Sequence, residues 1–396
     1  MDDGVGGGYA MRKPTCGLPF APALLLILAL LLAAGCGQRK APQPASGWEP
    51  LPLGTVAEFR SLWFVDAMNG WIVGGSYQIP GGLVGRTRDG GKSWRFESGI
   101  VSKGLGATRF NVEAVRFFDV QRGLVATDGG MIFTTSDGGD NWGLVRHGRG
   151  PTDHLFDLDF IDDRNGWAVG LGGVLRTQDA GVSWVTLRRH GEKRGVSGRA
   201  IRFLDSQNGW LVGQHATLMS TRDGGTTWSS AATPLATGEK PHLSDVFFLD
   251  DQNGWVVGDE GTILHTQDGG HTWILQDTGL PDARSAPRLE RIRRGSKVEV
   301  IDAGDRTPGL TLTAVRFVDK ERGWVVGHFA GLGRSLILRS QDGGATWAID
   351  ADIAGEELRA LFALDPDHVW AIGARVREGA QAIYRRAPSA TRPAAN

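Results

Sequence analysis

Short stretches in which apolar and polar residues alternate, such as Val115-Arg116-Phe117, recur along most of the chain and are broken by clusters of Asp, Asn and Gly. A period of two with turn residues between the runs predicts β-strands joined by hairpins. The breaks are themselves repeated. One is Thr/Ser-x-Asp-x-Gly-x-x-Trp, seen as TRDGGKSW (87–94), TSDGGDNW (135–142), TQDAGVSW (177–184), TRDGGTTW (221–228), TQDGGHTW (266–273) and SQDGGATW (340–347). The other precedes it, reads apolar-Asp-x-x-Asn-Gly-Trp-x-Val-Gly, and begins at Val65, Phe118, Ile161, Leu204, Leu249, Val318 and, in degraded form, Leu364.

Four strands fit each unit, and six complete units with one partial unit make seven. A four-stranded unit repeated seven times predicts an all-β fold, a single seven-bladed β-propeller over residues 47–388. The seventh unit supplies AIGA (371–374) and QAIYRR (381–386), and no further box follows. Ser46-Gly47-Trp48-Glu49 reads as the tail of such a box displaced towards the N-terminus. Its pairing with Ala382 to Arg385 would complete the last blade and cover an edge that otherwise invites aggregation. Residues 389–396 are expected to form a disordered tail.

In each box the aspartate can accept backbone N–H groups further along the turn, and glycine permits positive φ. Asp89, Asp137, Asp179, Asp223, Asp268 and Asp342 are therefore assigned to turn structure. The second motif places Asp66, Asp119, Asp162, Asp205, Asp250, Asp319 and Asp365 before turns, with the same assignment. The box resembles the Asp-box, or bacterial neuraminidase repeat, of sialidases, sortilin-type receptors and several glycosidases. It specifies scaffold and says little of substrate. Together with the Asn-Gly-Trp-x-Val-Gly motif and seven short units, the exported chain resembles the photosystem II stability and assembly factor family. That resemblance implies a seven-bladed propeller, lipid-anchored in cyanobacteria, without catalytic activity, which escorts a membrane subunit during assembly with the help of a basic patch.

The N-terminus carries an apolar run from Ala21 to Ala34 between Lys13 and Arg39, ending in Ala33-Ala34-Gly35-Cys36. It is too short for a stable membrane crossing and reads as a secretory signal peptide over residues 1–35, with translation from Met11 as an alternative start. Its end resembles a lipobox, so Cys36 is the expected lipidation site and residues 36–46 a polar, proline-rich tether. Cys16 would leave with the signal, so the exported domain would hold neither a disulfide nor a cysteine-ligated metal. The expected location is extracytoplasmic, on a membrane through the lipid.

A formal net charge of −1 hides an uneven distribution. In an up-and-down blade the two motif turns lie on one face of the disc and the links between blades on the other. The link face receives Arg146, His147 and Arg149, then Arg188, Arg189, Lys193, Arg194 and Arg199. It also receives a basic insert: Asp268 and Asp342 are 74 residues apart, against 48, 42, 44 and 45 for the other consecutive boxes. The surplus, at about 281–310, carries Arg284, Arg288, Arg291, Arg293, Arg294 and Lys297, and LERIRR-GS-KVEVID suggests a hairpin with Gly295-Ser296 at its tip. A surplus of this length is a candidate binding element. Arg188, Arg189, Arg194, Arg199 and the insert's basic residues are accordingly the expected contacts to a membrane-associated protein client, with the protein acting as a monomer.

Trp63 stands apart from the motif tryptophans, at the inner-strand position held elsewhere by Arg116, Arg202 and Arg316. The alternative function is a sialidase-like or other Asp-box glycoside hydrolase, or a glycan-binding protein. A sialidase needs a tyrosine nucleophile, and Tyr77 is the sole plausible one, without an Arg-Ile-Pro motif beside it. Asp157, Asp159, Asp259 and Glu260 are loose candidates for the paired carboxylates of glycoside hydrolysis. No histidine pair has zinc-ligand spacing, no phosphate-binding glycine loop is present, and export argues against nucleic acid. Neither cofactor, metal nor catalytic residue is therefore expected.

Overall fold

The computed structural model describes residues 47–55, 57–75, 81–98, 100, 110–188, 197–235, 240–280, 286–294, 297–307, 309–375 and 381–387; at 98, 188, 286–294 and 297–307 it describes the backbone alone. Six four-stranded antiparallel blades follow one another in the chain. Their first strands are Glu58–Phe64, Val112–Phe117, Leu155–Phe160, Ala200–Phe203, Leu243–Phe248 and Leu310–Phe317. The seventh blade has Glu356–Asp365, His368–Arg375 and Ala382–Arg386, and its outermost strand is Trp48–Pro52 from the other end of the chain. Trp48 pairs with Arg386 and Pro52 with Ala382, so the displaced box tail closes the ring. Between blades 5 and 6 the insert forms a separate hairpin, Ala286–Arg294 against Lys297–Thr307, with Arg294 opposite Lys297.

The first strands surround a central channel, and seven apolar clusters fill the seven spaces between neighbouring blades. The Asn-Gly-Trp motif builds those interfaces. Trp71, Trp167, Trp255 and Trp370 each stack on a phenylalanine of the next blade, namely Phe117, Phe203, Phe317 and Phe64, at 3.6 to 3.8 Å between ring centroids. Each indole N–H then donates to the first glycine carbonyl of that blade's box: Gly138, Gly224, Gly343 and Gly90. Stacking and a satisfied buried N–H both come from one side chain, which accounts for tryptophan at this position.

The boxes are closed by their own side chains. Thr135 Oγ1 donates to Asp137 Oδ1 at 2.8 Å and accepts from the Gly139 N–H, while Asp137 accepts from the backbone and side chain of Asn141 at 2.9 and 2.8 Å. These donors, Asn141 first, pull the Asp137 carboxyl down to about 2. The aspartates of the other motif each accept N–H groups two and three residues on, as Asp162 does from Arg164 and Asn165.

The second glycine of Asn-Gly-Trp-x-Val-Gly has a separate cause. In blade 3 Leu155 pairs with Gly170 and Asp157 with Val169, so Phe156 is the extra residue of a β-bulge. The bulge pushes the first strand against its neighbour, and a Cβ on Gly170 would overlap the His154 carbonyl oxygen. Backbone cannot yield as a flexible side chain does. Gly170→Ala is therefore expected to destabilise the protein by about 1–3 kcal/mol, the usual cost of overpacking, measured as a lower urea midpoint at unchanged slope.

Candidate partner-binding channel

The bulge recurs in the first strand of six blades and sets what faces the channel. Register skips Arg60, Glu113, Phe156, Ser244, Thr313 and Arg359, while in blade 4 the Arg199 N–H bonds the carbonyl of Val212, the partner of Ala200. These seven residues, each six before the motif aspartate, line one cavity of about 330 Å³. Three residues further on, Trp63, Arg116, Asp159, Arg202, Phe247, Arg316 and Phe362 form a second ring lining a cavity of about 560 Å³ at the turn end. An extra residue between the rings explains why positions three apart share one face of a strand.

The two rings differ in how their charges are matched. In the second, Arg202 pairs with Asp159 at 2.9 Å and Arg316 with Asp245 at 2.5 Å, and Phe247 lies near both guanidinium groups. Arg116 lies 3.9 Å from the centre of the Trp63 ring and donates to the Phe160 carbonyl; burial pulls it down to about 10 against the attraction of Asp159. Trp63 also meets Phe362 edge-on at 4.9 Å, so it belongs both to the channel wall and to the packing between blades.

In the first ring Arg60 pairs with Glu58 at 2.6 Å, and Arg359 reaches Glu58 at 3.4 Å and Glu357 at 3.6 Å. Arg199 is different. Its guanidinium rests 4.6 Å from the centre of the Phe156 ring and has no hydrogen bond or ion pair among the described residues. It is open to the cavity yet enclosed by the strands, and that enclosure lowers its pKa against the pull of Glu113, with Arg60 adding repulsion. Burial alone would raise Glu113, but His154 and the charges of Arg60 and Arg199 hold it below its ordinary value. Beyond this ring the channel opens on the link face into a space of about 670 Å³ lined by His147, Pro151, His154 and Phe156 among others. One cation without an ion pair among the described residues, beside an aromatic ring and in the same cavity as two further arginines, suits a carboxylate carried on an extended segment.

The chain matches the family model described as "Photosynthesis system II assembly factor YCF48" over residues 41–150 and 196–286, about half its length and including blades 1, 2, 4 and 5. It belongs to the photosystem II assembly factor Ycf48 family. The "Photosystem II assembly lipoprotein Ycf48" of Synechococcus sp. (strain CC9902) is 29% identical over 127 residues, which are 32% of this chain and 35% of that relative. The match therefore spans about a third of the curated relative's length. Two solved Ycf48 structures share the fold: "YCF48 bound to D1 peptide", with TM-score 0.62, 19% identity, and 87% and 97% of the two chains covered; and "YCF48 from Cyanidioschyzon merolae", with 0.60, 18%, 86% and 99%. A GH74 xyloglucanase from Xanthomonas campestris has a similar propeller, with TM-score 0.53, 14% identity, and 85% of this chain and 55% of that one covered.

Within this Ycf48-family chain the basic residues singled out from sequence fall in different places. Arg199 stands in the channel. Arg188 ends the outer strand of blade 3, and Arg288, Arg291, Arg293, Arg294 and Lys297 lie on the inserted hairpin, all as backbone positions. Arg189, Lys193, Arg194, Arg284, Tyr77 and Cys36 lie outside the described residues. Arg146 is not free on the link face, since it pairs with Asp153 at 2.8 Å and donates to the Gly130 carbonyl. Sequence reasoning passed over Arg60, Glu113 and Arg359, although counting six residues back from each motif aspartate finds all three.

Of the four carboxylates considered for hydrolysis, Asp157, Asp159 and Asp259 are bound into the frame. Asp157 accepts from the N–H groups of Leu158 and Ile201, Asp159 from Phe203, and Asp245 from Val315, so each of the three also receives an N–H of the following blade. Asp259 accepts from Thr311 and from the His242 N–H. Among the described residues no group of three His, Cys, Asp or Glu side chains could hold a metal ion.

Two of the buried acids set the response to pH. Burial, with repulsion from Asp245 and Asp159, pushes Asp157 up to about 7, and burial likewise pushes Glu356 up to about 7. Both bind protons more tightly folded than unfolded. The stability this confers is complete below their unfolded values near pH 4 and is lost as pH rises towards 7. The turn aspartates act oppositely, losing their contribution as pH falls towards 2. The urea midpoint is expected to peak near pH 5 and fall towards pH 8, and Asp157→Asn with Glu356→Gln should flatten the fall.

Proposed function

We propose that this protein is a non-catalytic, extracytoplasmic binding protein, lipid-anchored at Cys36, that holds an extended acidic segment of a membrane-protein client during photosystem II assembly. The segment enters the channel from the link face. The observation that carries the reading is Arg199, a cation without a hydrogen bond or ion pair among the described residues, set over Phe156 and lining the same cavity as Arg60 and Arg359. Family membership supplies the assembly context, one relative is named a lipoprotein, and one structural neighbour holds a D1 peptide. Charge-assisted hydrogen bonds to the client carboxylate would each contribute about 1.5–3 kcal/mol. The protein acts as a monomer, and the hairpin arginines, with Arg188, Arg189 and Arg194, are further candidates for contact with the client.

Capture from detergent-solubilised photosynthetic membranes separates the channel from the hairpin. Residues 37–396 should retain D1 or a complex containing it, and Arg60→Glu with Arg199→Glu should release it. Replacement of Arg291, Arg293 and Arg294 by Glu should reduce retention without abolishing it. Undiminished retention by the channel variant would place the client elsewhere.

A further inference from the structure

We infer that the rim between blades 2 and 3 carries a second binding site, for a tryptophan side chain of a partner peptide with a basic residue beside it. The argument starts from a departure in the repeat. In blades 1, 3, 6 and 7 the motif tryptophan lies opposite an arginine of the third strand, as Trp71 opposite Arg86 and Trp167 opposite Arg176. The guanidinium covers the indole at 5.5 and 5.3 Å in those two blades. Blade 2 has Leu124 opposite Thr134 instead.

Both parts of the filling are therefore missing at this interface; Leu124 and Phe160 are buried there, and on the rim beside them lies a cavity of about 540 Å³ lined by Thr134, Trp142, Ala180 and Val182 among others. Its lining includes apolar side chains beside the box. Phe118 packs edge-on against Phe160 at 5.0 Å, and Val182, 64% exposed, occupies the box position that is Lys92, Asp140, Thr226, His271 or Ala345 in the other boxes. Two polar groups are left without partners. The carbonyl of Ala180 corresponds to the glycine carbonyls that accept an indole N–H at four other interfaces, and it accepts no hydrogen bond among the described residues. The buried Trp142 indole N–H likewise has no acceptor. At four sister interfaces the corresponding carbonyl accepts from an indole N–H, in two of them under a guanidinium.

Charge favours the cation. Asp137 lines the cavity, and the one arginine in its wall, Arg122, is already held by Asp119 at 2.7 Å and faces Asp163 at 3.6 Å. The site lies on the turn face, away from the link-face mouth, and its occupancy does not depend on the channel reading.

Ligand-observed ¹⁹F NMR with 5-fluoro-N-acetyltryptophanamide tests it on the intact chain. Saturable, millimolar binding is expected, and blocked Trp-Arg should bind at least threefold more tightly than blocked Trp-Glu at low salt. The variant Leu124→Trp with Thr134→Arg restores the repeat and should weaken probe binding at least tenfold while raising Tm. Thr134→Arg alone is the substitute if the double variant does not fold, with the same weakening expected. Absence of saturable binding, or equal binding by a folded filled variant, would overturn the inference.

Discussion

Trp48→Ala is expected to lower the free energy of unfolding by about 3–5 kcal/mol, the range for truncating a large buried aromatic side chain. Trp48 is 1% exposed and packs with Trp324, Val369 and Ala371 where blades 6 and 7 meet. Its indole N–H donates to Asp350 Oδ2 at 2.6 Å, and the same oxygen is 3.3 Å from the Trp324 indole nitrogen. Truncation removes apolar contact, leaves this carboxylate with a weaker partner and loosens the strand that covers Ala382–Arg386. Total stabilities of about 5–15 kcal/mol make that a large fraction. Trp48→Phe keeps most of the packing and loses the hydrogen bond, so an intermediate loss is expected. Urea denaturation measures both, and a wild-type midpoint for Trp48→Ala would show that closure does not depend on this side chain. Light scattering should also show association of the destabilised variant, because the uncovered strand presents an open edge.

Arg199→Glu is expected to weaken client binding by roughly 30- to 1000-fold, or about 2–4 kcal/mol. The substitution removes a guanidinium that no carboxylate among the described residues pairs with and adds a charge that repels an acidic ligand as well as Glu113 and Asp157, the anions whose fields act on Arg199. Arg199→Lys should retain part of the affinity, since it keeps the charge and loses the planar fork. Arg60→Glu should cost less in client contact because Arg60 is already paired with Glu58. Affinity of the wild-type protein should fall with added salt, and that dependence should shrink in Arg199→Glu. Calorimetric titration reads all of these, and near-equal affinities would remove Arg199 from the site.

Much of this was legible in the chain. The blade count, the closing strand and the hairpin followed from repeated turn chemistry and from one long interval between boxes, both local properties of sequence. The column of Trp63, Arg116, Arg202 and Arg316 was visible too, because it lies a fixed distance before each motif aspartate. The column that matters more for binding was not recognised. A bulge adds a residue to the first strands of blades 1, 2 and 7, so strict alternation assigns Arg60, Glu113 and Arg359 to the wrong face. Arg199 was grouped with link-face charges because it precedes the first strand of blade 4, although it lines the channel with the bulge residues of the other blades. Asp350 and Asp153 carry no motif; each is defined by partners distant in sequence or across a turn, Trp48 and Arg146 respectively. The rim cavity needed the structure as well, since the loss of one tryptophan from a repeat says nothing of whether neighbours close over the gap.

Site-specific photo-crosslinking tests the central claim most directly. A benzophenone amino acid placed at Phe156, on the floor of the channel mouth, should form an adduct with a D1 peptide, and competition with unlabelled peptide should suppress it. The same group at Ile274, exposed on the outer strand of blade 5, should form none. An adduct at residue 274 or on the hairpin, with none at residue 156, would contradict the assignment of the client to the channel.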